Sequence, residues 1–411
     1  MNELQAIVNF YARARARGER AALATVVQTE GSAYRRPGAR MIITESGETC
    51  GTISGGCLER DVALRAYEVI ESGRARIIEY DTRGNEDIVW GLGLGCNGVV
   101  RVLIESLCEG AAGASALQFI EDCLQKRQSG VLATVIAHEG KGRSEDCAAK
   151  IGARLLIDEK LNICGQSLFS EELSARVRED ALEILASKRA GARFFETSEG
   201  RIEIFFDLTS PPRPLVIFGA EHDAWPLLRE ARTLGWHVTV VDTRARNATK
   251  ERFAEADHIL LCRAEDVAAH LALTESTAVV LMTHNYLDDV ELLRALLPSP
   301  VFYLGILGPR QRTLKLLEEI RADGFIGEEF ELARLHSPIG LDIGAETPEE
   351  IALAIAAEIN AVCAARDGGF LRTRNAPIHD KQEAEPRYKK ASVEQYASVC
   401  ESALLTVCHS S

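Results

Sequence analysis

The sequence predicts an α/β protein in which two small, similar α+β modules precede a doubly wound parallel sheet. Two observations carry this prediction. Segments of the first hundred residues recur in the second hundred, and after residue 214 short apolar strands alternate with helical stretches. The stiff segment Pro211-Pro212-Arg213-Pro214 separates the two parts and indicates a domain boundary.

The composition is typical of a globular chain without a membrane span. The 411 residues are 46% hydrophobic, and the formal net charge is −14 at pH 7. This charge disfavours nucleic acid and anionic membranes as partners, because phosphate-bearing surfaces are bound by basic patches. The N-terminal segment lacks the apolar core of a signal peptide, so we expect a cytoplasmic protein. The 11 cysteines include no C-x-x-C pair and no zinc-ligand spacing, and we expect reduced thiols.

The repeat occupies the N-terminal half of the chain. The matched segments are LATVVQTEG with LATVIAHEG, and PGARMIITESGETCG with IGARLLIDEKLNICG, beginning at residues 23, 132, 37 and 151. Each copy has strand-like segments on both sides of a helical stretch. We therefore predict an ancient duplication, with a first module over residues 1–110 and a degenerate second copy over 111–210.

Comparison of the two copies separates expected scaffold from candidate function. Residues that both copies share are expected to be structural: Gly38, Arg40, Cys50 and Gly51, matched by Gly152, Arg154, Cys164 and Gly165. Features of the first copy alone are candidates for function: Arg35, Arg36, the turn Ser54-Gly55-Gly56-Cys57 and the glycine-rich segment 91–98.

The turn at residues 54–57 has the residue types of a ligand-binding loop. Gly55 and Gly56 permit positive φ and leave backbone N–H groups open to an anion or a reactive sulfur. Cys57 precedes a predicted helix over 58–70, whose N-terminus would favour its thiolate. The alternative is a small buried residue at a tight turn.

The glycine-rich segment carries Gly93, Gly95 and Cys96. So many glycines indicate a close approach of the backbone to a ligand or to another chain, with a flexible hairpin as the alternative. Because Cys57 and Cys96 both occur only in the first copy, we favour a functional role for both.

The third region, residues 215–365, has the pattern of a Rossmann-like domain. A strand over 215–218 is followed by a turn at Gly219, a helix to about residue 234 and a second strand that ends at Asp242, an order typical of dinucleotide-binding sheets. Glu221 stands where the fingerprint has its second glycine, and its carboxylate would repel a diphosphate. NAD(P) is therefore not the expected ligand.

The remaining elements complete this domain. Further strands are predicted over 258–262, 278–283 and 301–304, and Thr347 is expected to cap the last helix. His284 follows a predicted strand at the carboxyl edge of the sheet, a usual site position, with a solvated or capping histidine as the alternative. The polar residues 366–411 are predicted to be a loosely ordered tail.

Together these motifs resemble the XdhC/CoxI family, the accessory and maturation factors of xanthine dehydrogenase and related molybdenum hydroxylases. The resemblance covers most of the chain and rests on segments 31–32, 37–40, 51–59, 90–96, 218–220, 226–227, 235–242, 282–284, 303–310 and 335–344. The sequence departs from the family at Glu221, where many members carry glycine, and in the length of residues 111–210.

The resemblance implies a cofactor chaperone rather than a metabolic enzyme. Such a protein binds molybdenum cofactor (molybdopterin) transiently, protects it while the terminal sulfido ligand is installed, and passes it to an apo molybdenum hydroxylase. The implied partners are this hydroxylase, a cysteine desulfurase and a second copy of the chain. The rival hypotheses are an NAD(P)-dependent oxidoreductase and a scaffold that binds no cofactor.

The candidate residues for such a cargo come from both parts of the chain. A bound molybdopterin needs cationic donors, open N–H groups and a soft ligand. We expect Cys57 to be a transient molybdenum ligand or sulfur-handling thiol, with Cys96 second. The other expected contacts are Arg35, Arg36, Ser54, Gly55, Gly56, Gly93, Gly95, Gly219, Asp242 and His284.

Overall fold

The computed structural model describes residues 3–31, 33–81, 83, 98–108, 110–139, 150–165, 169–197, 200–244, 248–324 and 332–375. It divides into two compact units, residues 2–211 and 212–411. Over the described ranges, no helix combines the length and apolar character needed to cross a membrane.

The first copy of the repeat forms an antiparallel sheet with a helix on one face. Its elements are α1 (Glu3–Ala16), β1 (Ala21–Gly31), β2 (Arg40–Thr44), β3 (Thr49–Gly51), α2 (Glu59–Ser72), β4 (Arg76–Asp81) and β5 (Gly98–Ser106). The strand order is β3-β2-β1-β5-β4. Side chains alternate between the faces of a strand, so Ala22, Ala24 and Val26 of β1 pack with the buried residues of α2.

The second copy repeats this topology. Its elements are α3 (Ala112–Lys126), β6 (Gly130–Glu139), β7 (Arg154–Asp158), α4 (Glu171–Ser187), β8 (Gly191–Thr197) and β9 (Gly200–Thr209). The strand order β7-β6-β9-β8 matches β2-β1-β5-β4, and the register shifts at the equivalent place, after Val26 in one copy and after Val135 in the other. Helix α3, the counterpart of α1, was not predicted from the sequence.

The inner faces of the two sheets pack against each other within this unit. Val27 and Leu103 of the first copy form a buried cluster with Ile136 and Phe205 of the second. The outer faces are covered by α2 and α4 respectively. Each sheet is therefore buried on both sides.

The second unit is a doubly wound parallel sheet, as the sequence predicts. Its elements are β10 (Pro214–Phe218), α5 (Ala224–Thr233), β11 (His237–Asp242), β12 (His258–Leu261), α6 (Val267–His270), β13 (Ala278–Leu281), α7 (Tyr286–Leu296), β14 (Tyr303–Ile306), α8 (Arg310–Ala322), β15 (Leu335–His336) and α9 (Pro348–Cys363). The order β12-β11-β10-β13-β14-β15 is parallel throughout. Helices α5 and α9 cover one face, and α7 and α8 cover the other.

Several boundaries differ from those predicted. The strand predicted over 301–304 is β14, which starts two residues later because pairing with β13 begins at Tyr303. The two-residue strand β15 is too short to leave a periodic pattern and was not predicted. Thr347 does cap α9, since its hydroxyl accepts the Glu350 N–H and the Glu350 carboxylate accepts the Thr347 N–H. Of the predicted tail, residues 376–411 lie outside the described part of the chain.

Candidate functional site

The turn before α2 is held by hydrogen bonds between Ser54 and Glu59. The Ser54 Oγ accepts the N–H groups of Cys57 at 3.1 Å and Leu58 at 3.0 Å, and the Ser54 N–H donates to Glu59 Oε1 at 2.8 Å. Burial alone would raise the pKa of Glu59, but the hydrogen bonds from Ser54 and Ile53 outweigh it and lower the pKa. The Glu59 carboxylate is therefore a fixed, ionised part of the turn.

These bonds decide which backbone groups are available to a ligand. The N–H groups of Ile53, Ser54, Cys57 and Leu58 are already donating. The N–H groups of Gly55 and Gly56 make no hydrogen bond to another described residue. Among the cysteines that the structure describes, all are free thiols and Cys57 is the exposed one. The turn therefore combines an exposed thiol with the N–H groups of the two preceding glycines.

The segment Tyr34-Arg35-Arg36 lies against this turn. A Cβ at Gly55 would lie 3.4 to 3.6 Å from the ring carbons of Tyr34, the residue before Arg35. Arg35 is paired with Glu3 of α1 and its side chain is 28% exposed, so it would bind an anion only by sharing or leaving Glu3. The Arg36 carbonyl accepts the Ala39 N–H at 3.1 Å. Tyr34 was not predicted as a site residue, although an aromatic residue beside two arginines is a visible signal.

The glycine-rich segment is not described. Gly93, Gly95 and Cys96 lie outside the described residues, so their predicted role stays a prediction. The described chain resumes at Gly98, which begins β5 and pairs with Gly31 of β1.

The second unit has its own candidate site, a cleft of about 540 Å³ at the carboxyl ends of β10, β11 and β13. The chain order reverses between β10 and β13, which is where open α/β sheets bind ligands. The three predicted residues Gly219, Asp242 and His284 all line this cleft. It is also lined by acidic and basic side chains that were not predicted to belong to a site: Asp223, Arg244 and Asp288.

Gly219 and Asp242 are engaged in the scaffold of the cleft. Gly219 has φ +117, and a Cβ there would lie 2.3 Å from the carbonyl oxygen of Met282, the residue after β13, so the backbone packing requires glycine at this position. The Asp242 carboxylate accepts the N–H groups of Arg244 and Ala248, both at 2.9 Å, and the residue is buried. A ribose could be held by Asp242 only if these loop bonds were shared.

His284 is oriented by a carboxylate. Its Nε2 lies 2.6 Å from Asp223 Oδ2, and its backbone has φ +53, a conformation uncommon outside glycine. The His284 side chain is 56% exposed, whereas that of Asp223 is 18% exposed. The cap of α7 is Asn285, whose side chain accepts the Asp288 N–H at 3.2 Å, so His284 does not cap this helix. The other alternative, a solvated histidine, remains open because the side chain is more than half exposed.

Acidic groups dominate the cleft. Glu221, Asp223, Asp242 and Asp288 line it, and Arg244 is bound to Asp288 at 2.9 Å. Glu221 is exposed at the place of the missing fingerprint glycine. Carboxylates in these positions would repel a diphosphate. That NAD(P) is not the ligand stays a prediction.

Known protein families and relatives match the sequence of both units. Residues 14–81 match the XdhC and CoxI family, and residues 215–359 match the XdhC Rossmann domain. The chain is 30% identical over 341 residues to a Bacillus subtilis protein named as a probable subunit of xanthine dehydrogenase, covering 83% of this chain and 92% of that protein. It is 24% identical over 357 residues to the molybdenum cofactor insertion chaperone PaoD of Escherichia coli, covering 87% of each.

A solved structure has the same fold. The crystal structure of a xanthine dehydrogenase from Bacillus halodurans aligns with a TM-score of 0.71 and 28% sequence identity, covering 89% of this chain and 97% of that one. The likeness therefore extends over nearly the full length of both chains.

Proposed function

Because this chain belongs to the XdhC and CoxI family, we propose that it is a maturation factor for a xanthine dehydrogenase-type molybdenum hydroxylase. It binds molybdenum cofactor as cargo, supports its sulfuration and delivers it to the apo-enzyme. The relative named as a molybdenum cofactor insertion chaperone supports this role, since it is similar over 87% of this chain.

One observation carries the choice of site: Cys57 is exposed and directly follows Gly55 and Gly56, whose N–H groups make no hydrogen bond to another described residue. The cargo combines a dithiolene-bound metal with a phosphate, so it calls for a soft ligand and for anion donors. Cys57 is the soft ligand, and the two N–H groups with Arg35 and Arg36 are the donors. The residue types of the turn therefore fit both ends of such a cargo.

Each residue of the turn then has a distinct role. Cys57 holds the metal or the sulfur in transit, while Ser54 and Glu59 fix the turn that presents it. The sulfur comes from a cysteine desulfurase, and the protein acts as a homodimer in the cytoplasm. A reducing compartment agrees with the free thiols of the described cysteines.

The proposal is tested by what the protein carries. The full chain is purified without oxygen from cells grown with molybdate, and its molybdenum and its pterin, after oxidation to a fluorescent product, are quantified. We expect both in similar amounts, and we expect the loaded protein to activate an apo-hydroxylase. Folded protein that contains neither molybdenum nor pterin, and that does not take up the cofactor when it is supplied, would overturn the proposal.

A further inference from the structure

We infer that the inner face of the first copy is built to pair with the second copy and to reject another first copy, and that Arg101 and Glu203 make this selection. The inference goes beyond the proposed function and does not depend on it. It bears on the candidate site, because the turn with Cys57 occurs in the first copy alone. Pairing of unlike copies leaves one such turn in each pair of copies.

Arg101 and Glu203 occupy equivalent positions in the two copies. The register shifts once along β1 and β5 and once along β6 and β9, and the first residues paired beyond the shift are Gln28 with Arg101 in the first copy and Ala137 with Glu203 in the second. The duplicated position therefore carries a cation in one copy and a carboxylate in the other. The first copy is adapted to its cation, since the Gln28 side-chain oxygen accepts a hydrogen bond from Arg101 at 2.6 Å and Ala137 has no such group.

These two counterparts meet each other between the packed sheets. The Arg101 guanidinium donates to the Glu203 carboxylate at 2.8 Å and to the Ile136 carbonyl at 3.4 Å. The Arg101 and Glu203 side chains are 17% and 6% exposed. A residue that contacts its own counterpart would contact an identical residue if the two copies were the same.

Pairing of identical copies would therefore bring like charges together. Two first copies would place two Arg101 guanidinium groups in contact, and two second copies would place two Glu203 carboxylates in contact. Because both side chains are largely removed from water, like charges repel there more strongly than at the surface, and neither charge would have a partner. Only the pairing of a first copy with a second makes the two charges opposite.

The other ion pairs described between the copies do not make this distinction. Arg40 of the first copy pairs with Asp207 of the second, and Arg154 of the second pairs with Glu105 of the first. Each copy has both an arginine and a carboxylate at these places, so two first copies would form the same kind of contact. The selection therefore falls to the pair in which a residue meets its own counterpart.

Charge reversal in the full-length chain reproduces each rejected pairing. Glu203→Arg places two arginines in contact, as two first copies would, and Arg101→Glu places two glutamates in contact. We expect each reversal to lower the folding equilibrium constant of the unit of residues 2–211 about tenfold more than Glu203→Gln or Arg101→Gln does, because repulsion adds to the loss of the ion pair. The double reversal restores opposite charges and should recover most of the loss. Urea denaturation followed by circular dichroism measures these variants.

The matched control is Arg76→Glu, which reverses an exposed arginine that pairs with Glu68 inside the first copy. It should lower the folding equilibrium constant by about fivefold at most. If a single reversal does not fold, the double reversal decides: a folded double variant supports the selection, and an unfolded one contradicts it.

The choice of partner is tested by removing both charges. The double variant Arg101→Gln with Glu203→Gln has the same residue at the duplicated position of each copy, so it no longer distinguishes like copies from unlike ones. The protein is unfolded and refolded at low and at high concentration, and native mass spectrometry measures the share of chains in multi-chain species. We expect this share to rise severalfold above that of the unaltered chain at high concentration.

Two results would overturn the inference. One is a charge reversal that costs no more stability than the neutral variant at the same position, and the other is an equal share of multi-chain species in the double glutamine variant and the unaltered chain. The proposed function is judged by the molybdenum and pterin content of the unaltered chain, so either proposal can fail while the other stands.

Discussion

Arg40 of β2 forms a buried ion pair with Asp207 of β9, and this pair joins the first copy of the repeat to the second. Arg154 of β7 forms the equivalent pair with Glu105 of β5. The four side chains are at most 6% exposed. Each copy therefore supplies an arginine to a carboxylate of the other.

The glycine two residues before each arginine makes room for this exchange. Gly38 and Gly152 have φ +95 and +85, and a Cβ at either would lie 2.9 Å from the carboxylate oxygen of Asp207 or Glu105. The Gly-Ala-Arg motif recurs in both copies because both make the same contact. This agrees with the structural role that the repeat comparison predicts for these residues.

Removing one partner of the Arg40–Asp207 pair should strongly destabilise the unit of residues 2–211. We expect Arg40→Met to lower its free energy of unfolding by about 3–5 kcal/mol, because the Asp207 carboxylate is left buried and uncompensated. The double variant Arg40→Met with Asp207→Leu should recover much of the loss. Urea denaturation followed by circular dichroism measures both.

The control for this prediction is an exposed pair. Arg76 and Glu68 are both at least half exposed, so Arg76→Met should change the free energy of unfolding by no more than about 1 kcal/mol. An Arg40→Met variant as stable as Arg76→Met would contradict the role given to the buried pair.

Glu358 of α9 should make the second unit sensitive to acid. Burial alone would raise the pKa of Glu358, but the hydrogen bonds from His336, Tyr303 and the Gly340 N–H outweigh it, and the pKa lies below its usual 4.5. A lowered folded-state pKa contributes stability that is present above the unfolded value and is lost as the pH falls through the folded one. Wild type should therefore lose stability below about pH 4.5 relative to a Glu358→Gln variant.

The measurement is the free energy of unfolding of both proteins between pH 7 and pH 3. We expect the variant to be less stable by about 1–2 kcal/mol at pH 7, and the two curves to converge in acid. A difference that is independent of pH would show that Glu358 acts through packing alone.

Nicotinamide dinucleotides should bind poorly because of Glu221. With its carboxylate at the phosphate position, we expect a dissociation constant above roughly 100 µM for NAD(H) and NADP(H). Glu221→Gly should strengthen whatever binding remains. Calorimetry that finds low-micromolar NAD binding to the unaltered chain would refute this prediction.

The cysteines should divide into structural and functional thiols. Cys50 is partly buried and packs in the cluster that includes α1 and α3, where burial raises its pKa; Cys50→Ala should lower stability by about 1 kcal/mol and leave cofactor loading intact. Cys57→Ala should leave folding intact, because the thiol is exposed, but abolish cofactor retention or yield a hydroxylase that lacks its sulfido ligand. Cys96→Ala should act in the same direction more weakly.

The readout for the cysteine variants is molybdenum and pterin content, together with hydroxylase activity before and after chemical resulfuration. Recovery of activity on resulfuration would assign Cys57 to sulfur handling, whereas loss of pterin would assign it to retention. Normal loading and normal hydroxylase activity in the Cys57→Ala, Cys96→Ala double variant would exclude both roles and leave the arginines and N–H groups as the anion site.

Sequence patterns located most strands because apolar alternation and glycine turns are local signals. The same apolar alternation occurs in the second copy, so the sequence alone predicts the duplication. The sequence did not predict that Arg40 pairs with Asp207 or that His284 pairs with Asp223. The two members of each pair are distant in sequence, and only the sheet topology brings them together. The Ser54 hydroxyl accepts the N–H groups of Cys57 and Leu58, a local turn geometry that the residue types alone did not predict.

The crossed ion pairs also bear on how such a chain arose. A single module that carries both the arginine and the carboxylate is self-complementary, so two identical modules would form both pairs at once across a two-fold axis. When the two modules are joined in one polypeptide, their association no longer depends on protein concentration. Each module then meets the other at an effective concentration on the order of millimolar. Once association no longer depended on two identical surfaces, mutations could accumulate in one module without abolishing its association with the other. Under that condition, a cysteine-bearing turn can remain in only one of the two modules.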